Sequence, residues 1–156
     1  MRNSSLIKRS RAENVTGLKS AAEAVVLEVG CKKSEVGKGK MIKTFYDLRV
    51  YQIGYELSLR IHKLSQTFPK MELYELGAQL RRSAVSIPAN ISEGYGRTTA
   101  EIKRYLRIAN GSCNEVRVYI DMAYDLGYID ESDCKDLKAE YESLGKQLYS
   151  LQSRWN

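Results

Sequence analysis

The chain has 156 residues, 43% of them apolar, with 25 Lys or Arg against 19 Asp or Glu for a formal charge of +6; that length and composition suit one globular domain with a single core. A single histidine, His62, excludes the two-histidine zinc helix and the paired Glu-x-x-His motifs of a di-iron bundle, and neither metal nor cofactor is expected. Cys31, Cys113 and Cys134 are odd in number and widely spaced, so they form neither a disulfide framework nor a Cys-x-x-Cys pair, which fits a reducing cytoplasm. No apolar run approaches the roughly 18 residues of a membrane helix, so no membrane association is expected.

The positive charge is unevenly distributed. Residues 1–40 carry nine bases and four acids, whereas residues 41–156 carry sixteen and fifteen. All fourteen aromatic residues lie between Phe45 and Trp155, which leaves the first segment little with which to join a packed core. Residues 1–41 are therefore expected to be a basic, disordered or weakly helical extension, and residues 42–156 the folded domain. Gly37-Lys38 in the extension resembles a phosphate-binding loop but fails the test: six residues rather than four precede it after Gly30, and Gly39 stands where Ser or Thr is required.

Within the domain, apolar residues recur at helical steps. Val50, Ile53, Leu57, Ile61, Leu64 and Phe68 predict a first helix over Tyr46 to Thr67, ended by Pro69. A second helix is predicted from near Glu72, with Leu73, Leu76, Leu80, Ala84, Ile87 and Ile91 on one stripe and Gly94 and Gly96 as the stop. Pro88 lies inside it. An internal proline frees the carbonyl four residues back, so a kink is expected, with Ser83, Ser86 and Asn90 as polar partners for Ala84.

Thr98 with Glu101 forms a capping box that opens a third helix. Its Ile102, Leu106, Ala109, Cys113, Val116, Ile120 and Ala123 alternate steps of four and three, and Gly127 closes it. Asp130 caps a fourth, in which Cys134, Leu137, Tyr141, Leu144, Leu148, Leu151 and Trp155 keep a three-four heptad. No strand signal competes. The expected fold is all-α, an antiparallel up-down four-helix bundle with a Pro-kinked second helix.

The first and fourth helices place acids early and bases late, as the helix dipole favours. The third does the reverse, with Lys103, Arg104 and Arg107 early and Asp121 and Asp125 late. One reading gathers these bases with Arg97, Arg81 and Arg82 into a phosphate-binding patch. Another brings the basic and acidic halves of neighbouring subunits together head-to-tail in a ring of identical chains. An ordinary solvated mixed-charge surface is the plain alternative. Tyr95, Tyr105, Tyr119 and Tyr124 could stack bases beside the arginines, or pack between helices and subunits. His62 has no oriented partner in sequence, and Cys113 and Cys134 fall on core positions where a thiol is inert, so no catalytic constellation is expected.

The stretch Phe68-Pro69-Lys70, Glu72, Tyr74, Leu76 and then Gln79-Leu80-Arg81-Arg82-Ser83-Ala84-Val85-Ser86-Ile87-Pro88-Ala89-Asn90-Ile91-Ser92-Glu93-Gly94-Tyr95-Gly96-Arg97 resembles the four-helix bundle proteins encoded within intervening sequences of bacterial 23S ribosomal RNA genes. Asp47-Leu48-Arg49-Val50-Tyr51, and Gly111-Ser112 with Glu115, agree with it. The resemblance spans about residues 42 to 152. That family is in turn similar to the accessory variability protein of diversity-generating retroelements, which implies a ring of five subunits, a basic surface, and binding to nucleic acid and a reverse transcriptase. Carried over, Arg81, Arg82 and Arg97 are the matches that could touch phosphate, while Gln79, Ser86, Pro88, Asn90, Glu93 and Gly94 are architectural. Lys103, Arg104 and Arg107 come from helical spacing alone. The resulting expectation is a non-enzymatic, homo-oligomeric protein that contacts RNA or DNA phosphates through a basic helical face. The alternative is a scaffold ring that binds a partner protein without touching nucleic acid.

Overall fold

A computed structural model of the chain describes residues 42–155; the predicted extension over residues 1–41 lies outside them. A 3-10 turn at Phe45–Asp47 leads into four helices: α1 (Arg49–Ser65), α2 (Leu76–Gly94), α3 (Thr99–Asp125) and α4 (Glu131–Arg154). Their core is the set of heptad positions read from the sequence. Leu57, Ile61, Leu80, Ala84, Ile87, Ile91, Ile102, Leu106, Ala109, Cys113, Val116, Ile120, Ala123, Leu137, Tyr141, Leu144 and Leu148 are all buried in one cluster. Ile53, Leu64, Leu151 and Trp155 pack at its margin.

The helix ends follow local chemistry. At the start of α3 the Glu101 carboxylate accepts from the Thr98 N–H at 3.2 Å, and the Glu101 N–H donates back to Thr98 Oγ1 at 3.4 Å. Hydrogen bonding from Thr98 holds the Glu101 carboxyl below its usual range. Asp130 accepts from the Asp133 N–H at 2.8 Å and caps α4. Gly127 closes α3 at φ +73°, in the left-handed region that glycine tolerates, and the Tyr128 N–H reaches back to the Ala123 carbonyl at 2.8 Å.

The α1–α2 connection differs from expectation: α2 begins at Leu76 rather than near Glu72. Residues before it wind as turns, with the Gly77 N–H donating to the Glu72 carbonyl at 2.7 Å. A Cβ on Gly77 would stand 2.9 Å from that carbonyl oxygen, so glycine permits the approach. Arg81 then ties the connection down. Its guanidinium donates to Ser65 Oγ at 2.9 Å and to the Leu73 carbonyl at 2.7 Å. Arg81→Ala is expected to lower stability by about 1–3 kcal/mol, because it strands the partly buried Leu73 carbonyl, whereas the Ser65 hydroxyl keeps its bond to the His62 carbonyl at 2.9 Å; urea unfolding of the full chain measures it.

Antiparallel neighbours are fixed by polar pairs along the seams. Between α2 and α3, Ser83 Oγ donates to Glu115 at 3.0 Å and the hydroxyls of Ser86 and Ser112 lie 2.9 Å apart. At the end of this seam a Cβ on Gly94 would stand 2.8 Å from the Cβ of Tyr105, so glycine lets the two backbones meet. Between α3 and α4, Lys138 pairs with Asp121 at 2.5 Å, and Gly145 abuts Asn110 Oδ1. The seam between α1 and α4 is thin; Arg60 bridges it to Glu140 at 2.5 Å. Helix α2 continues through the buried Pro88. Asn90 supplies the polar partner there, but to the carbonyl and hydroxyl of Ser86, at 2.7 and 2.9 Å, rather than to the Ala84 carbonyl.

Candidate nucleic-acid interface

Antiparallel packing gathers the start of α1, the end of α2, the start of α3 and the end of α4 at one end of the bundle. Residues 42–52, 92–108 and 146–155 there contribute eight bases, Lys43, Arg49, Arg97, Lys103, Arg104, Arg107, Lys146 and Arg154, against the three acids Asp47, Glu93 and Glu101. The near neutrality of the domain is therefore a separation of charge, one basic end balanced by an acidic remainder. The reversed order of charge along α3 contributes to it directly.

The six residues expected to touch phosphate do not form one patch. Arg81 points inward to Ser65 and Leu73. Arg82 is exposed, but the Ser83–Glu115 pair sets it level with Val116, about nine residues of helix from Arg107 and so roughly 13 Å along the axis. Arg97 is committed to carboxylates: it pairs with Glu93 through Nη2, approaches Glu101 at 4.0 Å, and lies over the Tyr105 ring at 5.7 Å. The Glu93 hydrogen bond, then that carboxylate's charge, raises the Arg97 guanidinium above its ordinary value.

Lys103, Arg104 and Arg107 remain together in the first turns of α3, Lys103 half-buried and the other two exposed. No ion pair engages them among the described residues. Lys103 lies one heptad before Asn110, which faces Gly145, so it turns toward α4, and Arg107 lies beside it on that side. Arg154 comes level with the first turn of α3. Lys146 is exposed at this end too, though paired with Glu142 at 2.7 Å.

Of the supposed architectural residues, Ser86 and Gly94 meet α3, Asn90 bonds back to Ser86 within α2, Pro88 is buried, Glu93 holds Arg97, and Gln79 is exposed.

The tyrosines are redistributed as well. Tyr95 packs edge-on between Phe45 and Trp155, at 6.4 and 6.5 Å, and Tyr105 is covered by Arg97. Tyr119 packs against the core, and Tyr124 lies at the acidic end. The exposed rings at the basic end are Tyr46 and Tyr149. Tyr46 and Tyr55 flank Tyr51, at 5.5 and 6.2 Å. These rings, with Lys43, Arg49 and Arg154, escape a reading of the sequence because helices far apart in the chain bring them together; alternation of charge between helix starts and ends is the one signal that points to them.

Other chemistry is thinly represented. Burial pushes the Cys113 thiol up to about 12, leaving it protonated and unreactive at neutral pH. His62 is exposed at the last turn of α1. Among the described residues no group of three His, Cys, Asp or Glu could hold a metal ion, and no helix is long and apolar enough to cross a membrane.

A family model described as 23S rRNA-intervening sequence protein matches residues 46–150. A solved structure from Bacteroides thetaiotaomicron, described as a protein with unknown function from the S23 ribosomal protein family, shares the fold with a TM-score of 0.62 at 24% identity, covering 67% of this chain and 95% of that one. No curated protein matches the sequence.

Proposed function

The chain belongs to the 23S rRNA-intervening sequence protein family, and from that premise we propose that it is a non-enzymatic, self-assembling protein of the cytoplasm that binds RNA or DNA through backbone phosphates at the basic end of the bundle. The observation that carries this reading is the trio Lys103, Arg104 and Arg107, placed against the helix dipole with no carboxylate paired to them among the described residues. Bases held in that way cost stability in the isolated subunit and are stabilised when an anion arrives. The exposed rings of Tyr46 and Tyr149 at the same end of the bundle add surfaces on which unpaired bases can stack. Contacts of this kind position a nucleic acid without reading much of its sequence. Self-assembly, into the ring of five that the family resemblance implies, would join the basic end of one subunit to the acidic end of the next.

Titrating labelled duplex and single-stranded RNA and DNA into the full chain at several salt concentrations tests the reading. Affinity is expected to fall linearly with salt on logarithmic axes, with a slope of about −0.9 per phosphate contacted in B-form DNA. No binding at low salt overturns it. In that event the second reading gains: Met71 and Tyr74 are largely exposed, and Leu126 half so, at the acidic end where Tyr128 donates to Glu72 at 3.3 Å and links the two loops. An apolar surface there suits a partner protein, with association insensitive to salt.

A further inference from the structure

Beside its core stripe, α3 carries a second heptad on its outer side, in which Arg104, Ile108, Gly111, Glu115, Val118 and Met122 recur at steps of four and three. Ile108, Val118 and Met122 are 42%, 56% and 45% exposed. Gly111 stands at the middle of the 27-residue helix, where glycine is disfavoured relative to alanine, and a Cβ there would meet nothing within 4 Å. Nothing among the described residues calls for its small size. Arg104 and Asp125 lie at opposite ends of the same side, and neither has an ion-pair partner among the described residues.

We propose that this face binds the same face of a second copy of the chain, α3 against α3 in antiparallel fashion, about a two-fold axis passing between Asn114 and Glu115. In that register Gly111 meets Val118 of the second copy, Ile108 meets Met122, and Arg104 meets Asp125, each pair occurring twice as a self-complementary interface requires. Parallel pairing would set Arg104 against Arg104 and Asp125 against Asp125, so the charges select the antiparallel arrangement. Glu115, nearest the axis, is drawn toward α2 by Ser83, which separates it from its symmetry mate. Gly111 removes the one side chain that would hold Val118 of the second copy away. Arg104 then serves this contact rather than phosphate, while Lys103, on the α4 side, stays open to phosphate and Arg107, about five turns before Asp125, borders the contact. The contact goes beyond the assembly proposed above, because a head-to-tail ring has no two-fold axis between neighbours.

The test is the mass of the full chain in solution by light scattering and sedimentation, for Arg104→Glu, Asp125→Arg and the double swap. Each single swap is expected to halve the wild-type mass, since it sets like charges together twice, and the double swap to restore it. Gly111→Gln, whose side chain enters open space in the subunit, is expected to halve the mass while thermal unfolding shows an intact fold. A mass unchanged by the single swaps, or a double swap that fails to restore it, overturns the proposal. A ring that survives the single swaps at half the starting mass supports the two-fold contact and leaves the head-to-tail reading standing, so the two fail separately.

Discussion

Tyr141→Phe is expected to stabilise the bundle, and Tyr141→Ala to bring it close to unfolding. Tyr141 is 0% exposed, packed at the centre of α4, and its hydroxyl has no hydrogen-bond partner among the described residues. Burial pushes that hydroxyl above its ordinary range, so it is neutral at any working pH and carries no compensating charge. An unsatisfied buried polar group costs about 1–3 kcal/mol, and phenylalanine removes it while keeping the ring. A gain of about 1 kcal/mol, or several degrees in Tm, follows. Alanine removes the ring as well and leaves a cavity, at a loss of about 3–5 kcal/mol, a large share of the roughly 5–15 kcal/mol that holds a domain folded. Denaturant unfolding of both variants measures the difference; a Phe variant less stable than the parent would mean that the hydroxyl has a partner after all.

The second large effect concerns binding. Replacing Lys103 and Arg107 together by alanine is expected to weaken nucleic-acid affinity by on the order of tenfold for each phosphate no longer neutralised at moderate salt, and to reduce the salt slope by about one unit for each such phosphate. Neither side chain has a carboxylate partner among the described residues, so removing them leaves no described acid unpaired and the fold is expected to be unaffected. Arg81→Ala is the contrasting case: stability falls, and the affinity of the folded fraction is unchanged. Equal reductions of affinity from both sets would count against a surface centred on the start of α3.

The core and caps are legible in the sequence because they depend on residues a few positions apart. The heptads of α3 and α4, the Thr98–Glu101 box, the Asp130 cap and the Gly127 stop are all local patterns. Where a residue's role depends on a distant element, the pattern misleads. Arg81 sits in a run of bases and reads as a phosphate ligand, yet Ser65 and Leu73 determine its position. Arg97 reads the same way until Glu93, one turn back, takes its guanidinium. Periodicity sets the start of α2 a turn too early because the apolar step at Leu73 continues the stripe, while the Gly77–Glu72 contact that breaks the helix has no periodic signature. The gathering of Lys43, Arg49 and Arg154 at the end of the bundle where α3 begins arises only from antiparallel packing, which brings residues about a hundred positions apart to one end.

The thin seam between α1 and α4 has a mechanical consequence. Helix α1 meets α2 along a broad seam and α4 along a narrow one, where Gly54 faces Leu144 and the exposed Arg60–Glu140 bridge crosses, the bridge itself contributing little in water. The other three helices are each held along broad seams in the order α2, α3, α4. Under load the molecule therefore behaves as a three-helix block with a hinged flap. Force applied to the chain upstream of Lys43 reaches α1 first and has a single broad seam to unzip before the block itself is strained.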